Sequence, residues 1–147
     1  LDLDAVGKHL NISDPEQLAQ IAGALLNAAI LTHPTGKQSG LANPTFPELA
    51  LVETSNTKRP VSYANAFLQP VEGGAGKNLM TESASAFNTY INDVAAAFAP
   101  SDVSRVLLSV GAASITPELE HRKVNTLDEL IEAVEQACSS KRAVASS

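Results

Sequence analysis

One cysteine and no tryptophan occur in this chain of 147 residues, and aromatic residues make up only 4% of it. The lone thiol, Cys138, excludes an intramolecular disulfide and suits a reducing compartment, so a cytoplasmic setting is expected. With so few rings, the chain lacks the basic-Gly-aromatic-Gly-aromatic strand motif on which typical single-stranded RNA readers stack bases. No apolar run approaches the ~20 residues a membrane span requires. No basic-then-apolar leader opens the sequence, so neither a membrane partner nor secretion is expected. Positive charge is short as well: 10 Lys and Arg stand against 16 Asp and Glu, a formal net charge of −6. That balance opposes nucleic-acid binding by the domain as a whole, because binders gain affinity when Lys and Arg displace counterions from phosphates. His9, His33 and His121 are scattered, with no second ligand at metal spacing. No nucleophile elbow or triad-like context surrounds any Ser or Asp. The chain therefore reads as non-enzymatic, without metal or cofactor.

What is present suits one domain with a core of its own over residues 1–138, followed by a small, polar, flexible tail at 139–147. A helix is predicted to open at Ser13-Asp14-Pro15-Glu16, an S-x-x-E capping box with proline in the first turn. Leu18, Ile21, Ala22, Leu25, Ala29 and Ile30 give it one apolar stripe, and Pro34 ends it near Thr32. A second helix is expected over 81–98, with Phe87, Ile91, Val94, Ala95 and Phe98 on one face. A third opens with Thr126-Leu127-Asp128-Glu129 and buries Leu127, Leu130, Ile131, Val134 and Cys138. Asp128, Glu129, Glu132 and Glu135 read as its solvated face. Strands are expected at 1–6, 48–54 and 103–110, with a short one near 61–64, and Gly73-Gly74-Ala75-Gly76 reads as a flexible linker. The order predicts an α/β fold, an α+β sandwich of helices packed against a small sheet.

The cations sit mainly in turns. Thr35-Gly36-Lys37-Gln38-Ser39 offers two hydroxyls, an ammonium, an amide and glycine-freed backbone N–H groups, a set that suits phosphate oxygens. It is not a nucleotide-binding P-loop, because Leu31 stands at the first-glycine position and Gln38 follows the lysine. Gly73–Lys77 fails the same test, with Val71 and Asn78 at the corresponding places. Residues alone favour a solvated turn at Lys37, and equally a solvated pair at Lys58-Arg59. Tyr63 and Phe67 read as packing aromatics, and Asn65 as a loop-fixing residue or an RNA contact. An enzyme using Lys37 as an anion site for phosphate esters or nucleotides, or a plain protein–protein interaction module, stays open on these grounds.

Residues 33–71 carry a more specific signal. Pro34-Thr35-Gly36-Lys37-Gln38 precedes a small-residue turn, the apolar run Leu49-Ala50-Leu51-Val52 follows, and Pro60-Val61-Ser62-Tyr63-Ala64-Asn65-Ala66-Phe67 leads to Pro70-Val71. In this order and spacing the stretch resembles the CasC family, the backbone subunit of type I-E CRISPR Cascade complexes. The resemblance implies a modified RNA-recognition-motif core, partly ferredoxin-like. It also implies a CRISPR RNA (crRNA)-binding, non-catalytic subunit in antiviral defence. Its copies would stack as a filament along the guide, beside other Cascade subunits, and present the guide for pairing with target DNA. Thr35, Gly36, Lys37, Gln38 and Ser39 would lie against the guide RNA, with Lys58, Arg59 and Asn65 as further contacts. The abrupt start at Leu1-Asp2-Leu3-Asp4 reads as a cut, and the segment resembles the C-terminal part of the longer subunit. A thumb-like hairpin and a strongly basic strand region, both family features, are not identifiable. Scarce aromatics agree with a protein that grips the sugar–phosphate backbone and leaves the bases free to pair.

Overall fold

The computed structural model describes residues 1–32, 46–58, 61–74, 76–98, 102–110 and 122–145, with side chains described up to residue 140. At the N-terminus, the Leu-Asp alternation that predicted a strand over 1–6 gives way to a helix, α1 (Leu3–Leu10). Asp2 caps it, its Oδ1 accepting from the N–H groups of Asp4 and Ala5 at 3.1 Å each. Leu3, Val6, Gly7 and Leu10 recur at helical spacing, so once the cap forms, the 3.6-residue period prevails over the apparent period of two. Asn11 ends α1 with a left-handed backbone, φ 56°, and its N–H reaches back to the Gly7 carbonyl. Gly7 is needed at this corner, because a Cβ would stand 2.8 Å from the Ile12 carbonyl oxygen.

The second helix, α2 (Pro15–Leu31), takes its cap from Asp14 rather than Ser13: Asp14 Oδ1 accepts from the Glu16 N–H at 3.1 Å. Its buried face is Leu18, Ala19 and Gly23, with Ala22, Leu26 and Ile30 packed on the core. Leu25 and Ala29, expected in the stripe, face solvent, so the stripe is rotated toward Ala19 and Gly23.

Strand β1 (Leu49–Thr54) pairs antiparallel with β2 (Ser104–Ser109), placing Glu53 opposite Arg105. A three-residue strand, β3 (Arg122–Val124), extends the sheet parallel to β2 in the order β1-β2-β3. The last strand is too short to show an alternation, which is why the sequence reading omits it. Between β1 and β2 lie a 3-10 turn at Ala64–Phe67, in place of the strand expected near 61–64, and helix α3 (Leu79–Phe98). Within the expected linker Ala75 lies outside the described residues, and the Lys77 N–H donates to the Gly74 carbonyl at 3.0 Å. The last helix, α4 (Leu127–Ala145), opens on Thr126, whose Oγ1 accepts from the Glu129 N–H at 3.2 Å. The Glu129 carboxylate reaches back to the Asn125 N–H at 2.8 Å, one residue earlier than an ideal capping box. Helix α4 continues through Ala145, so the tail expected from residue 139 is helical over most of its length.

Pairing sorts the side chains into two faces. Ala50 and Val52 of β1, Val106 and Leu108 of β2 and Val124 of β3 pack with Ala19, Leu130, Ala133, Val134 and Cys138 from α2 and α4. Cys138 is a core residue, as its helical spacing implied. The helices approach closely, since a Cβ on Gly23 would meet the Glu135 carboxyl, with Cδ at 2.9 Å. The alternate positions, Leu51, Glu53, Arg105 and Leu107, belong to the other face, where Tyr63 links the sheet to α3. Ile91 on α3 and Leu107 are fully buried, whereas Phe98, expected on the same apolar face as Ile91, is exposed. This mixed architecture of helices on a three-stranded sheet is the α+β class that the element order implied.

Candidate nucleic-acid interface

Of the residues expected to contact RNA, Thr35, Gly36, Lys37, Gln38 and Ser39, and with them Arg59, lie outside the described residues. Lys58 and Asn65 lie within them. Lys58 closes a polar turn after β1, and this turn is pinned from across the sheet. Asp102, just ahead of β2, receives Ser55 Oγ–H at 3.0 Å and the N–H groups of Asn56 and Thr57 at 2.9 and 3.1 Å, all on Oδ2. Desolvation pushes its carboxyl up, but those three bonds and one from its own backbone N–H outweigh it and leave the group below its ordinary value. The Lys58 side chain is 68% exposed, and its ammonium contacts Asp2 at 2.8 Å and Asp4 at 3.9 Å. The hydrogen bond to Asp2 raises the lysine above its usual range and lowers the carboxyl below its own.

Asn65 belongs to a different neighbourhood. It is exposed on the 3-10 turn, and its backbone carbonyl accepts from the Leu68 N–H at 3.2 Å. Flanking aromatics anchor that turn to α3. Tyr63 meets Phe87 and Tyr90 edge-on, with centroids 5.9 and 6.5 Å apart, and Phe67 stacks on Phe87 at 6.2 Å. Tyr63 thus packs as read, whereas Phe67 stacks on Phe87 but stays exposed on its other side. Tyr63 also donates to Glu53 Oε1 at 2.9 Å, and Arg105 Nε donates to the same oxygen at 2.7 Å. Burial first, and then the bond to Glu53, push the Tyr63 phenol up to about 12.

Sequence reasoning missed both Glu53–Arg105 and the ties made by Asp102 and Asp2. The only available signal was opposite charge on two predicted strands, and it becomes a contact only when the register is known.

Phe46 and Val110 are exposed at one end of β1 and β2, and Val61, Phe67, Leu68, Leu79 and Phe98 are exposed on or beside the 3-10 turn and α3. An open groove of about 360 Å³ lies between these last two elements, with Gln69, Glu72, Lys77, Glu82 and Ser85 in its wall. Among the described residues no group of three or more His, Cys, Asp or Glu side chains could hold a metal ion. No described helix is long and apolar enough to cross a membrane.

The fold has relatives of known structure. A chain of a solved CRISPR RNA-guided surveillance complex superposes with a TM-score of 0.77 at 26% identity, over 93% of this chain and 50% of that one. A chain of a CRISPR RNA-guided surveillance complex, pre-nicking, superposes with a TM-score of 0.78 at 23% identity, over 94% of this chain and 36% of that one, a likeness of fold. The chain therefore spans half the length of the first and about a third of the second. No functionally curated protein matches it. The profile of the CT1975-like protein family, however, matches residues 1–133. Its extent, over strands and helices alike, makes the chain a member of the CT1975-like protein family, in keeping with the Cascade-backbone resemblance of its sequence.

Proposed function

We propose that the chain is a non-catalytic part of a CRISPR RNA-binding backbone subunit in a type I-E Cascade surveillance complex of antiviral defence. The observation that carries this reading is the structural likeness, at 26% identity over 93% of the chain, to a chain of a CRISPR RNA-guided surveillance complex. In this reading the core is a partial, ferredoxin-like version of a modified RNA-recognition motif. It grips the guide's sugar–phosphate backbone through Thr35, Gly36, Lys37, Gln38 and Ser39, aided by Lys58, Arg59 and Asn65. Other copies of the chain and other Cascade subunits are its protein partners, and target DNA is met through guide pairing. The setting is the cytoplasm. The scarcity of aromatics, with no stacking motif among them, supports a backbone grip over base stacking.

The experiment is a salt titration of single-stranded RNA binding. Lys37→Ala in the full-length subunit should weaken binding without unfolding the protein and reduce the slope of log affinity against log salt by about 0.7, the single-strand value for one phosphate. Gln38→Ala, which loses a neutral hydrogen bond, should weaken it less. An unchanged slope removes Lys37 from the interface. The purified chain should also leave RNA, DNA and nucleoside triphosphates intact, with or without divalent metal. Turnover abolished by changing one of its carboxylates would favour a phosphate-ester enzyme instead.

A further inference from the structure

The turn at Ser55–Lys58 is held in place by Asp102, which leaves the Lys58 ammonium projecting from a fixed frame. Its neighbours are then unexpected for a residue that serves a polyanion. Two carboxylates, Asp2 at 2.8 Å and Asp4 at 3.9 Å, stand beside one ammonium. Asp2 divides its labour: Oδ1 accepts the N–H groups of Asp4 and Ala5 at the start of α1, while Oδ2 takes Lys58. The carboxylate oxygen sits at the distance from Nζ that a phosphate oxygen would take. A phosphodiester approaching Lys58 therefore meets an ammonium already engaged by a carboxylate.

We infer that the acidic N-terminus of α1 is an intramolecular competitor for RNA phosphate at Lys58. The inference rests on the RNA-binding reading above and adds a regulation to it. Lys58 is withheld while Asp2 and Asp4 hold it, and is released to the RNA backbone when α1 yields. The pair is exposed, so the competition is weak and readily displaced rather than a permanent block.

The test is binding of a fluorescent single-stranded RNA to the full chain carrying Asp2→Asn and Asp4→Asn, with and without Lys58→Ala. Asparagine caps a helix as well as aspartate does, so α1 is preserved while the negative charge is lost. Unchanged circular dichroism checks this. The double variant should bind RNA about two- to fivefold more tightly at low salt, the range of an exposed ion pair. The gain should vanish when Lys58 is alanine. A gain that persists without Lys58 is a bulk-charge effect and overturns the inference. No gain, with Lys58→Ala still weakening binding, overturns the competition but leaves Lys58 at the RNA interface. Binding that is absent in every variant, or indifferent to Lys58, overturns the competition and the RNA contact at this residue together.

Discussion

Glu53 Oε1 receives both the Tyr63 hydroxyl and the Arg105 guanidinium, so one carboxylate fastens the 3-10 turn to two strands. The arginine side chain is only 8% exposed, and removing its partner strands a charge in a poorly hydrated place. Glu53→Ala should cost about 3 kcal/mol in urea denaturation, the lower end for breaking a buried pair. The joint change Glu53→Leu with Arg105→Met should cost far less, and equal costs would show that the charge pairing is irrelevant. Tyr63 gives an independent reading. Its phenol ionises at about 12 in the fold against an ordinary 10.0. A raised pKa means the fold favours the neutral phenol. That stabilisation is complete below about pH 10 and is lost as the pH climbs toward about 12. In a Tyr90→Phe background, ultraviolet titration should show one tyrosine ionising late, and Glu53→Gln should shift it earlier. A Tyr63 that titrates with the ordinary midpoint would mean that neither its burial nor its bond to Glu53 persists in solution.

At the scale of elements, the contact between α2 and α4 depends on a position with no side chain. Glycine inside a helix ordinarily costs about 1 kcal/mol relative to alanine, so Gly23 is retained against propensity. The reason is steric: a Cβ there would crowd the Glu135 side chain, with Cδ at 2.9 Å and Cγ at 3.0 Å. Gly23→Ala should displace the Glu135 side chain and so forfeit most of the gain in helix propensity, while the double variant with Glu135→Ala should exceed the original stability. Thermal melts of the four proteins measure the coupling, and additive effects would place Glu135 elsewhere. Glu135 also shows what a linear reading loses. It belongs to an acidic series that reads as a solvated face, yet it is half-buried against the neighbouring helix. Asp2 makes the same point for α1, since Leu-Asp-Leu-Asp satisfies a strand alternation and a helix start equally until the cap bonds are counted.

For the whole molecule, the acidic balance and the exposed apolar side chains pull in different directions. A net charge of −6 keeps copies apart at low salt. Leu68 at 77% and Phe98 at 79% exposure invite contact between them. A subunit that stacks along a guide must show one face to the preceding copy and another to the next, a head-to-tail arrangement that does not close. We expect the chain to self-associate with rising concentration, and more so with rising salt as repulsion is screened. Sedimentation velocity should show this, and Leu68→Ser with Phe98→Ser should move the distribution toward the 15.3 kDa monomer. A monomer at every concentration and salt would make the chain a self-sufficient domain and weaken the assembly reading.

The amino-acid sequence by itself determined the α+β class, β1 and β2, and the helices that became α2, α3 and the start of α4. It also carried the motif order that marks the family. These are local properties: caps act within a turn, the helical and strand periods show within a few residues, and a motif is a spacing along the chain. The tertiary structure decided which face of α2 is buried, that residues 1–6 turn into a helix, and that β3 exists. It also decided that Glu53 meets an arginine 52 residues away and that Lys58 meets α1. Such pairs depend on register and on the closure of long loops. No local propensity encodes either, because a one-residue slip in pairing would turn every side chain of the strand to the opposite face.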